Sequence, residues 1–278
     1  MILGIDWNVS SQLIDGWNTP NLYGLLFVTG LIIGFFVIKK MFKKEGIPEE
    51  QLDKLLIYVV IATIVGARLG HVFFYDWPSY RENPIDILKV WEGGLASHGG
   101  AIAILIALYI YSKKVSKRSM WWILDRIVAP IAIAGCFIRL GNLVNHEIIG
   151  NPTDMPWGFK FMQESPKNLV MVDGKLEHVY RHPAQLYESI GYLVSFIALY
   201  YMYWKTKLKE KQGVIFGAFL VFIFGWRFIV EFVKVGQADR DAGMVINTGQ
   251  WLSIPFFIAG IIIIVLGHKQ LLGKKQSQ

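Results

Sequence analysis

Long apolar runs separated by short polar segments make up most of this sequence. A helix that crosses the hydrocarbon core of a bilayer needs about 20 mostly apolar residues. Seven runs approach that length, at residues 22–38, 55–75, 95–111, 121–140, 186–204, 214–232 and 251–267. The third run is the weakest, because polar and glycine residues at 97–100 interrupt its beginning. The pattern predicts an all-α polytopic membrane protein with seven transmembrane helices.

The composition supports this fold class. Hydrophobic residues make up 54% of the 278 residues and charged residues only 18%, whereas soluble domains have about 45–50% apolar and about 25% charged residues. The single cysteine excludes a disulfide-stapled scaffold. Residues 1–21 contain no Lys or Arg, so we expect no cleavable signal peptide at the N-terminus.

The basic residues orient the predicted helices. Sixteen Lys and Arg fall within the 41 residues of segments 39–54, 113–118, 205–212 and 268–278. Only eight fall within the 101 residues of segments 1–21, 76–94, 142–185 and 233–249. Because cytoplasmic loops carry the excess of Lys and Arg, the N-terminus is predicted outside and the C-terminus in the cytoplasm. No aromatic residues alternate with the basic runs to stack on bases, so we expect no nucleic-acid partner.

The longest segment between predicted helices is residues 142–185, on the predicted outer side. Loops of this length without structure of their own are uncommon in compact domains. We therefore expect a small extracytoplasmic cap within residues 142–185.

Ionisable side chains lie inside or at the ends of the predicted spans, where a central charge costs about 2.5–3.5 kcal/mol. They are Arg68, His71, His98, Arg139, Glu188, Arg227 and Glu231. At about 1.5 Å per helical residue, all of them fall in the outer half of the bilayer in the predicted orientation. This concentration of charge at one depth marks a candidate site.

The three arginines of this set come from separate predicted helices and outnumber its two carboxylates. A guanidinium group binds phosphate in a bidentate manner, so we favour a phosphate pocket. The alternative is a self-satisfied network of arginine–glutamate pairs. Arg227, Glu231 and Lys234 have helical spacing, which predicts that they share one helix face.

The most polar stretch, residues 139–150, begins inside the fourth predicted helix and continues into the expected cap. The amides of Asn142 and Asn145 can bind glycerol hydroxyls or phosphate oxygens. Glu147 can receive a proton or fix an arginine, and Gly150 allows close backbone approach. The other interpretation is an ordinary capped helix end with polar groups at the surface.

His98 lies in the sequence Ser-His-Gly-Gly at the start of the third run. Histidine changes its charge near neutral pH, so His98 is a candidate general base, and a structural interfacial histidine is the alternative. The other histidines have no ligand spacing with it, so we expect no metal site. The sequence contains no P-loop or dinucleotide fingerprint, and we expect no cofactor.

These stretches together resemble the prolipoprotein diacylglyceryl transferase family. RLGNLVNHEIIG at residues 139–150 is similar to the signature of that family. Further similar motifs are LYG at 22–24, GARLG at 66–70, SHGG at 97–100, RHPAQLYE at 181–188 and RFIVEF at 227–232. Family members have seven spans and an outside N-terminus, which agrees with the topology predicted above. Lys234 departs from the family pattern, in which an arginine is frequent at that position.

The resemblance implies a bacterial inner-membrane transferase whose single catalytic domain covers residues 1–278, with its active site toward the outer leaflet. Such an enzyme moves the diacylglyceryl group of phosphatidylglycerol to the thiol of the lipobox cysteine in a preprolipoprotein. A thioether forms and glycerol 1-phosphate leaves, in the first step of lipoprotein maturation.

The resemblance also implies roles for individual residues. We expect Arg139 and Arg227 to bind the phosphate and to stabilise charge on the leaving group. We expect His98 to take the thiol proton, although water or the leaving phosphate can serve instead. The catalytic set is then His98, Arg139, Glu147 and Arg227. The substrate-binding set is Tyr23, Arg68, Arg139, Asn142, Asn145, Gly150 and Glu231.

Two other function classes are compatible with intramembrane charge. A lipid or organic-anion transporter is one, but transporters place charges near the midplane and often have repeated halves, which this sequence does not show. A non-catalytic lipid-binding scaffold is the other. Loss of turnover on single polar substitutions would separate an enzyme from both.

Overall fold

The computed structural model describes residues 4–14, 16–17, 19–236 and 246–273, and these are mostly helical. The chain divides into two compact units, one comprising Met1–Ile38 and Asp125–Leu272, the other Lys39–Leu124 and Gly273–Gln278. The organisation of residues 1–278 as a single domain stays a prediction.

The described residues contain eight α-helices. They are α1 Leu22–Lys44, α2 Glu49–Phe74, α3 Trp77–Glu82, α4 Ser97–Tyr111, α5 Met120–Val144, α6 Ala184–Lys205, α7 Val214–Val230 and α8 Thr248–His268. A π-turn at Ser112–Ser116 extends α4, and a 3-10 turn at Glu231–Val233 follows α7. The predicted weak start of the third run is the first turn of α4, which begins at Ser97.

Six helical segments of the described chain are long and apolar enough to cross a membrane. They are Leu22–Lys44, Glu49–Phe74, Ser97–Ser116, Met120–Val144, Val214–Val233 and Thr248–His268. Helix α6 has 22 residues, but five tyrosines and Glu188 lower its hydropathy. The mostly helical, polytopic character is confirmed, whereas the seventh span and the orientation stay predictions.

Small strands in the first unit pack against the end of α5. Strand β1, Ile5–Trp7, pairs in parallel with β2, Phe159–Phe161, and β2 pairs antiparallel with β5, Tyr180–Arg181. Strands β3, Val170–Val172, and β4, Lys175–Glu177, form a separate hairpin.

The buried core beneath the three-stranded sheet contains Leu143, Ile149, Phe159 and Phe161. Trp7 Nε1 donates a hydrogen bond of 3.0 Å to Leu143 O at the end of α5. Because Leu143 and Ile149 both belong to this core, the backbone between them is anchored at each end.

The helices of the first unit are joined by glycine contacts and by a side-chain cap. A Cβ on Gly217 of α7 would lie 2.7 Å from Gly260 O of α8, so the two backbones touch there. The Asp125 carboxylate of α5 accepts hydrogen bonds from Gly213 N at 2.7 Å and from Phe216 N at 2.8 Å. Asp125 therefore caps α7 from a neighbouring helix.

Helices α2 and α4 of the second unit pack backbone against backbone. A Cβ on Gly99 would lie 2.6 Å from Gly70 Cα and closer still to Gly66 O. Small residues at such a contact let two helices approach closely. This contact holds the first turn of α4, which carries His98.

Candidate active site

Arg139, near the end of α5, lies at the centre of a buried charge cluster in the first unit. Its Nε is 2.9 Å from Glu188 Oε2 of α6, and Glu188 is fully buried. The Nε–H is not aligned for a hydrogen bond to that oxygen, so the contact is an ion pair. Nη1 donates a hydrogen bond of 3.1 Å to Asn142 Oδ1 one turn further along α5.

Glu147 receives two asparagine amides. Asn145 Nδ2 donates to Oε1 at 2.7 Å, and Asn142 Nδ2 donates to Oε2 at 3.4 Å. Asn142 therefore links Arg139 to Glu147. The Tyr23 hydroxyl interacts electrostatically with both of these charged residues. The structure thus brings together five residues of the predicted site, namely Tyr23, Arg139, Asn142, Asn145 and Glu147.

The backbone on both sides of Glu147 lies in the left-handed region. His146 has φ 54° and Ile148 has φ 58°. Positive φ is uncommon for residues other than glycine and is unfavourable for a β-branched residue such as isoleucine. The loop reverses the chain within three residues, so that Glu147 turns back toward Asn142, whose carbonyl accepts Glu147 N at 3.0 Å.

The His146 ring fastens this turn to its surroundings. Gln163 N donates to His146 Nδ1 at 3.4 Å, and Nε2 lies 2.9 Å from Val9 O. Because Nδ1 accepts a hydrogen bond, Nε2 carries the proton and donates to the carbonyl. The His146 ring thus holds the turn against the N-terminal segment and the strand region.

Lys234 joins two buried carboxylates, Glu188 and Glu231. Its Nζ lies 3.4 Å from Glu188 Oε1 and 3.1 Å from Glu231 Oε2. The prediction that Arg227, Glu231 and Lys234 share one helical face is wrong beyond Val230. There α7 ends, a 3-10 turn follows, and Lys234 has an extended backbone.

Arg227 lies on the last turn of α7 and differs from Arg139 in its surroundings. Its Nε is buried and has no hydrogen-bond partner among the described residues. A buried N–H group without a partner is rare in folded proteins. The Nε–H group of Arg227 is thus a donor for which the described part of the chain supplies no acceptor.

The buried charge cluster contains a cation that the count from the sequence left out. Lys234 and Arg139 both contact Glu188, Lys234 also contacts Glu231, and the pairing of Arg139 with Glu188 follows the self-satisfied alternative in part. The phosphate pocket stays a prediction, and Arg227 is the cation that supports it most directly.

Gly150 is held by backbone contacts. Its N–H donates to His182 O at 3.0 Å, and its carbonyl accepts Arg181 Nη1 at 3.3 Å. A Cβ at Gly150 would lie 2.5 Å from His182 O, so the close approach requires glycine. In this arrangement its main chain joins the loop to β5, and its predicted contact with substrate stays untested.

Two predicted site residues belong to the second unit. Arg68 is buried and donates to Ile87 O at 3.0 Å, to Gly93 O at 2.6 Å and to Asp86 O. These bonds hold the segment between α3 and α4, so the predicted lipid contact would compete with them. The His98 ring lies against the rings of Phe74 and Tyr75, and no hydrogen bond joins it to another of the described residues.

Comparison with known proteins identifies the relatives of this chain. Residues 16–266 match the family model described as Prolipoprotein diacylglyceryl transferase. A phosphatidylglycerol–prolipoprotein diacylglyceryl transferase of Tolumonas auensis is 44% identical over 265 residues, covering 95% of this chain and 98% of the relative. The chain belongs to the prolipoprotein diacylglyceryl transferase family. The resemblance seen in the sequence motifs is thereby confirmed.

Relatives of the same name in other bacteria are similar over almost their full length. The protein of Chloroherpeton thalassium is 40% identical over 274 residues, and that of Porphyromonas gingivalis is 42% identical over 280 residues. Each alignment covers 98% of this chain and 98% of the relative. Together with the apolar helices, these matches make the chain a multi-pass membrane protein of the family.

Gln185 is a residue of this family site to which the sequence motifs alone assign no role. It lies in the first turn of α6, is fully buried, and donates from Nε2 to Glu147 O at 2.5 Å. The spacing to Glu188 is the signal that could have revealed it, because residues three apart share a helix face.

Within the part of the chain that the structure describes, no group of three or more His, Cys, Asp or Glu side chains could hold a metal ion.

Proposed function

We propose that this chain transfers the diacylglyceryl group of phosphatidylglycerol to the lipobox cysteine thiol of a preprolipoprotein. The sulfur forms a bond to C3 of the lipid glycerol, and the bond from that carbon to the phosphate oxygen breaks. Glycerol 1-phosphate leaves with the bonding electron pair, and a thioether remains. The contact chain from Arg139 through Asn142 to Glu147, in a member of this family, is the observation that carries the proposal.

The proposed setting is a bacterial inner membrane, crossed seven times, with the N-terminus outside and the active site toward the outer leaflet. Helix α6 would be the seventh span. Its 22 residues reach about 33 Å at about 1.5 Å per residue, which is enough for the hydrocarbon core. The distribution of Lys and Arg between the two sets of loops supports the orientation.

Arg227 and Arg139 would act on the phosphate. A phosphate oxygen would satisfy the buried Arg227 Nε, which has no partner among the described residues. As the carbon–oxygen bond breaks, negative charge grows on the leaving phosphate. A fixed cation stabilises that charge without reorganisation. The ion pair with Glu188 holds the Arg139 side chain in place for the same purpose.

Glu147 and the two asparagines would orient the glycerol head group. The Glu147 side chain is exposed although both of its oxygens accept asparagine amides. A carboxylate has about four lone-pair sites, so it retains capacity to accept hydroxyl groups of glycerol. Tyr23, which interacts with both Glu147 and Arg139, would close this part of the site.

His98 would accept the proton of the acceptor thiol. Free cysteine has a pKa of about 8.5, so thiolate formation needs assistance at neutral pH. The His98 ring has no hydrogen-bond partner among the described residues and can receive a proton. Water or the leaving phosphate would be the acceptor if His98 proves dispensable.

A reconstituted transfer assay tests the proposal. Purified protein in phosphatidylglycerol liposomes would be mixed with a signal peptide that carries the lipobox cysteine, and the peptide mass would be measured. We expect a diacylglyceryl increment on the cysteine and release of glycerol phosphate. A peptide with serine at that position and liposomes of phosphatidylethanolamine are the controls. Bound phosphatidylglycerol without any increment would instead favour a transporter or a scaffold.

The same assay tests the phosphate role of Arg227. Arg227→Ala removes the cation whose Nε has no partner, and Lys207→Ala, on the segment after α6, removes a cation from a predicted cytoplasmic loop. We expect a loss of at least about 100-fold in turnover for Arg227→Ala and no change for Lys207→Ala. Equal rates for the two variants would contradict the phosphate role of Arg227.

A further inference from the structure

Gln185 holds the main chain of the proposed head-group site. Its side chain is fully buried at the start of α6, and Nε2 donates to Glu147 O at 2.5 Å. Its Oε1 is also buried and has no hydrogen-bond partner among the described residues. A buried acceptor without a partner is costly, so an apolar residue of equal size would suit simple packing better.

The carbonyl that Gln185 binds belongs to a strained turn. Left-handed residues, His146 and Ile148, lie on both sides of Glu147. Such conformations persist only where the surroundings over-determine them. The His146 ring holds the turn on one side, and the Gln185 amide holds the peptide carbonyl at its centre.

Helix α6 contacts both ends of the Arg139–Asn142–Glu147 chain from a single face. Gln185 binds the Glu147 main chain, and Glu188, three residues later, pairs with Arg139. Asn142 then joins Arg139 to the Glu147 carboxylate. The contacts form a closed ring, so a displacement of the Glu147 backbone also displaces the carboxylate relative to Arg139.

We propose that Gln185 is a positioning residue. By fixing the Glu147 carbonyl, it sets the position of the Glu147 carboxylate against the head group of the phospholipid. This inference rests on the proposed function for its effect on turnover, but the positioning itself concerns only the chain.

Two near-isosteric substitutions test whether positioning requires the hydrogen-bond donor of the Gln185 side chain. Gln185→Met removes the donor at similar volume. Gln185→Glu lacks the donor when ionised and regains one when protonated. We expect kcat/KM of both variants to fall about 10- to 100-fold at pH 8, as a misplaced catalytic group does. As the pH falls to 6, Gln185→Glu should recover at least fivefold relative to Gln185→Met.

The ratio of kcat/KM between Gln185→Glu and Gln185→Met isolates the effect of the introduced carboxyl group. The ionisable residues of the contact ring, Glu147, Glu188 and Arg139, and the neighbouring His146 and His182 are present in both variants, so their titration contributes equally to both. Gln163→Met is the matched control, because Gln163 is an exposed amide that bonds Asn8 and not the Glu147 main chain. It should keep the parent rate and pH profile. A kcat/KM ratio that stays constant between pH 8 and 6 would overturn the proposal. So would a Gln185→Met variant with the kcat/KM of the parent.

Hydrogen exchange of residues 145–150 provides a readout that needs no activity. In the parent, the amides of Asn145, His146, Glu147 and Gly150 donate to main-chain carbonyls. Gln185→Met should speed exchange in this peptide by at least fivefold and leave peptides of α8 unchanged. Unchanged exchange at 145–150 would refute positioning. A parent that exchanges as expected but transfers no lipid would refute the proposed function alone.

Discussion

The contact between α2 and α4 predicts opposite effects for alanine at two neighbouring glycines. A Cβ at Gly99 would lie 2.6 Å from Gly70 Cα and closer still to Gly66 O, and no rotamer change can move these backbone atoms. A Cβ at Gly100 would meet no atom nearer than 3.6 Å. Gly100→Ala is therefore the matched control for Gly99→Ala.

The expected change in the free energy of unfolding follows from two opposing contributions. Alanine in place of a helical glycine stabilises by about 0.5–1 kcal/mol, and this gain applies to both variants. Forcing a methyl group into a close-packed site costs about 1–3 kcal/mol, and this cost applies to Gly99→Ala only. We expect the two variants to differ by about 1–3 kcal/mol in the free energy of unfolding, with Gly100→Ala at or above the parent.

Thermal unfolding in detergent, followed by tryptophan fluorescence, measures the difference. The transfer assay adds a functional readout, because Gly99 is next to His98 in the first turn of α4. We expect Gly99→Ala to lower both the melting temperature and the rate of transfer. Equal melting temperatures for the two variants would refute the direct backbone contact between α2 and α4.

Substitutions at three further positions test other parts of the molecule. His98→Gln should abolish diacylglyceryl transfer but spare phosphatidylglycerol binding, and near-normal turnover would remove His98 from the base role. Asp125→Leu should lower the melting temperature, because two buried N–H groups of α7 lose their acceptor at a cost of about 1–3 kcal/mol each, and Asp125→Asn should lose less. Burial lowers the pKa of His182 from 6.5, so the unfolded chain binds more protons there. Stability should consequently fall as the pH drops below about 6.5, and melting curves of His182→Asn should lack that part of the fall.

The apolar runs predicted the helices well because each helix depends mainly on its own residues. The fourth run, predicted to end at residue 140, continues as α5 to Val144. Polar residues such as Asn142 ended the run in the sequence but do not end the helix. The sixth run, predicted to end at residue 232, is longer than the helix, because a 3-10 turn replaces α7 from Glu231 onward. The apolar pattern gives no indication of this change.

The site was predictable where its contacts are local in sequence. Arg139, Asn142, Asn145 and Glu147 lie within nine residues, and the structure joins them directly. Contacts over longer separations were not predictable, since a sequence lists charges but not their distances. The sequence does not show which arginine pairs with Glu188, and in the structure it is Arg139.

Arg68 has hydrogen-bond acceptors that the sequence does not reveal. A buried arginine needs hydrogen-bond acceptors, and the acceptors that can be identified in a sequence are carboxylate side chains. Where arginines outnumber these carboxylates, an anionic ligand is the natural expectation. Every residue also carries a main-chain carbonyl, but the sequence does not show which carbonyls lie within reach of an arginine. Arg68 takes its acceptors from Asp86, Ile87 and Gly93 in a segment that lacks regular α-helix or strand. Arg227 offers the contrast within the same chain, because its buried Nε has no such carbonyl among the described residues. Of these two arginines, Arg227 is therefore the one for which a phosphate contact is predicted, because its buried Nε finds no acceptor in the described part of the chain.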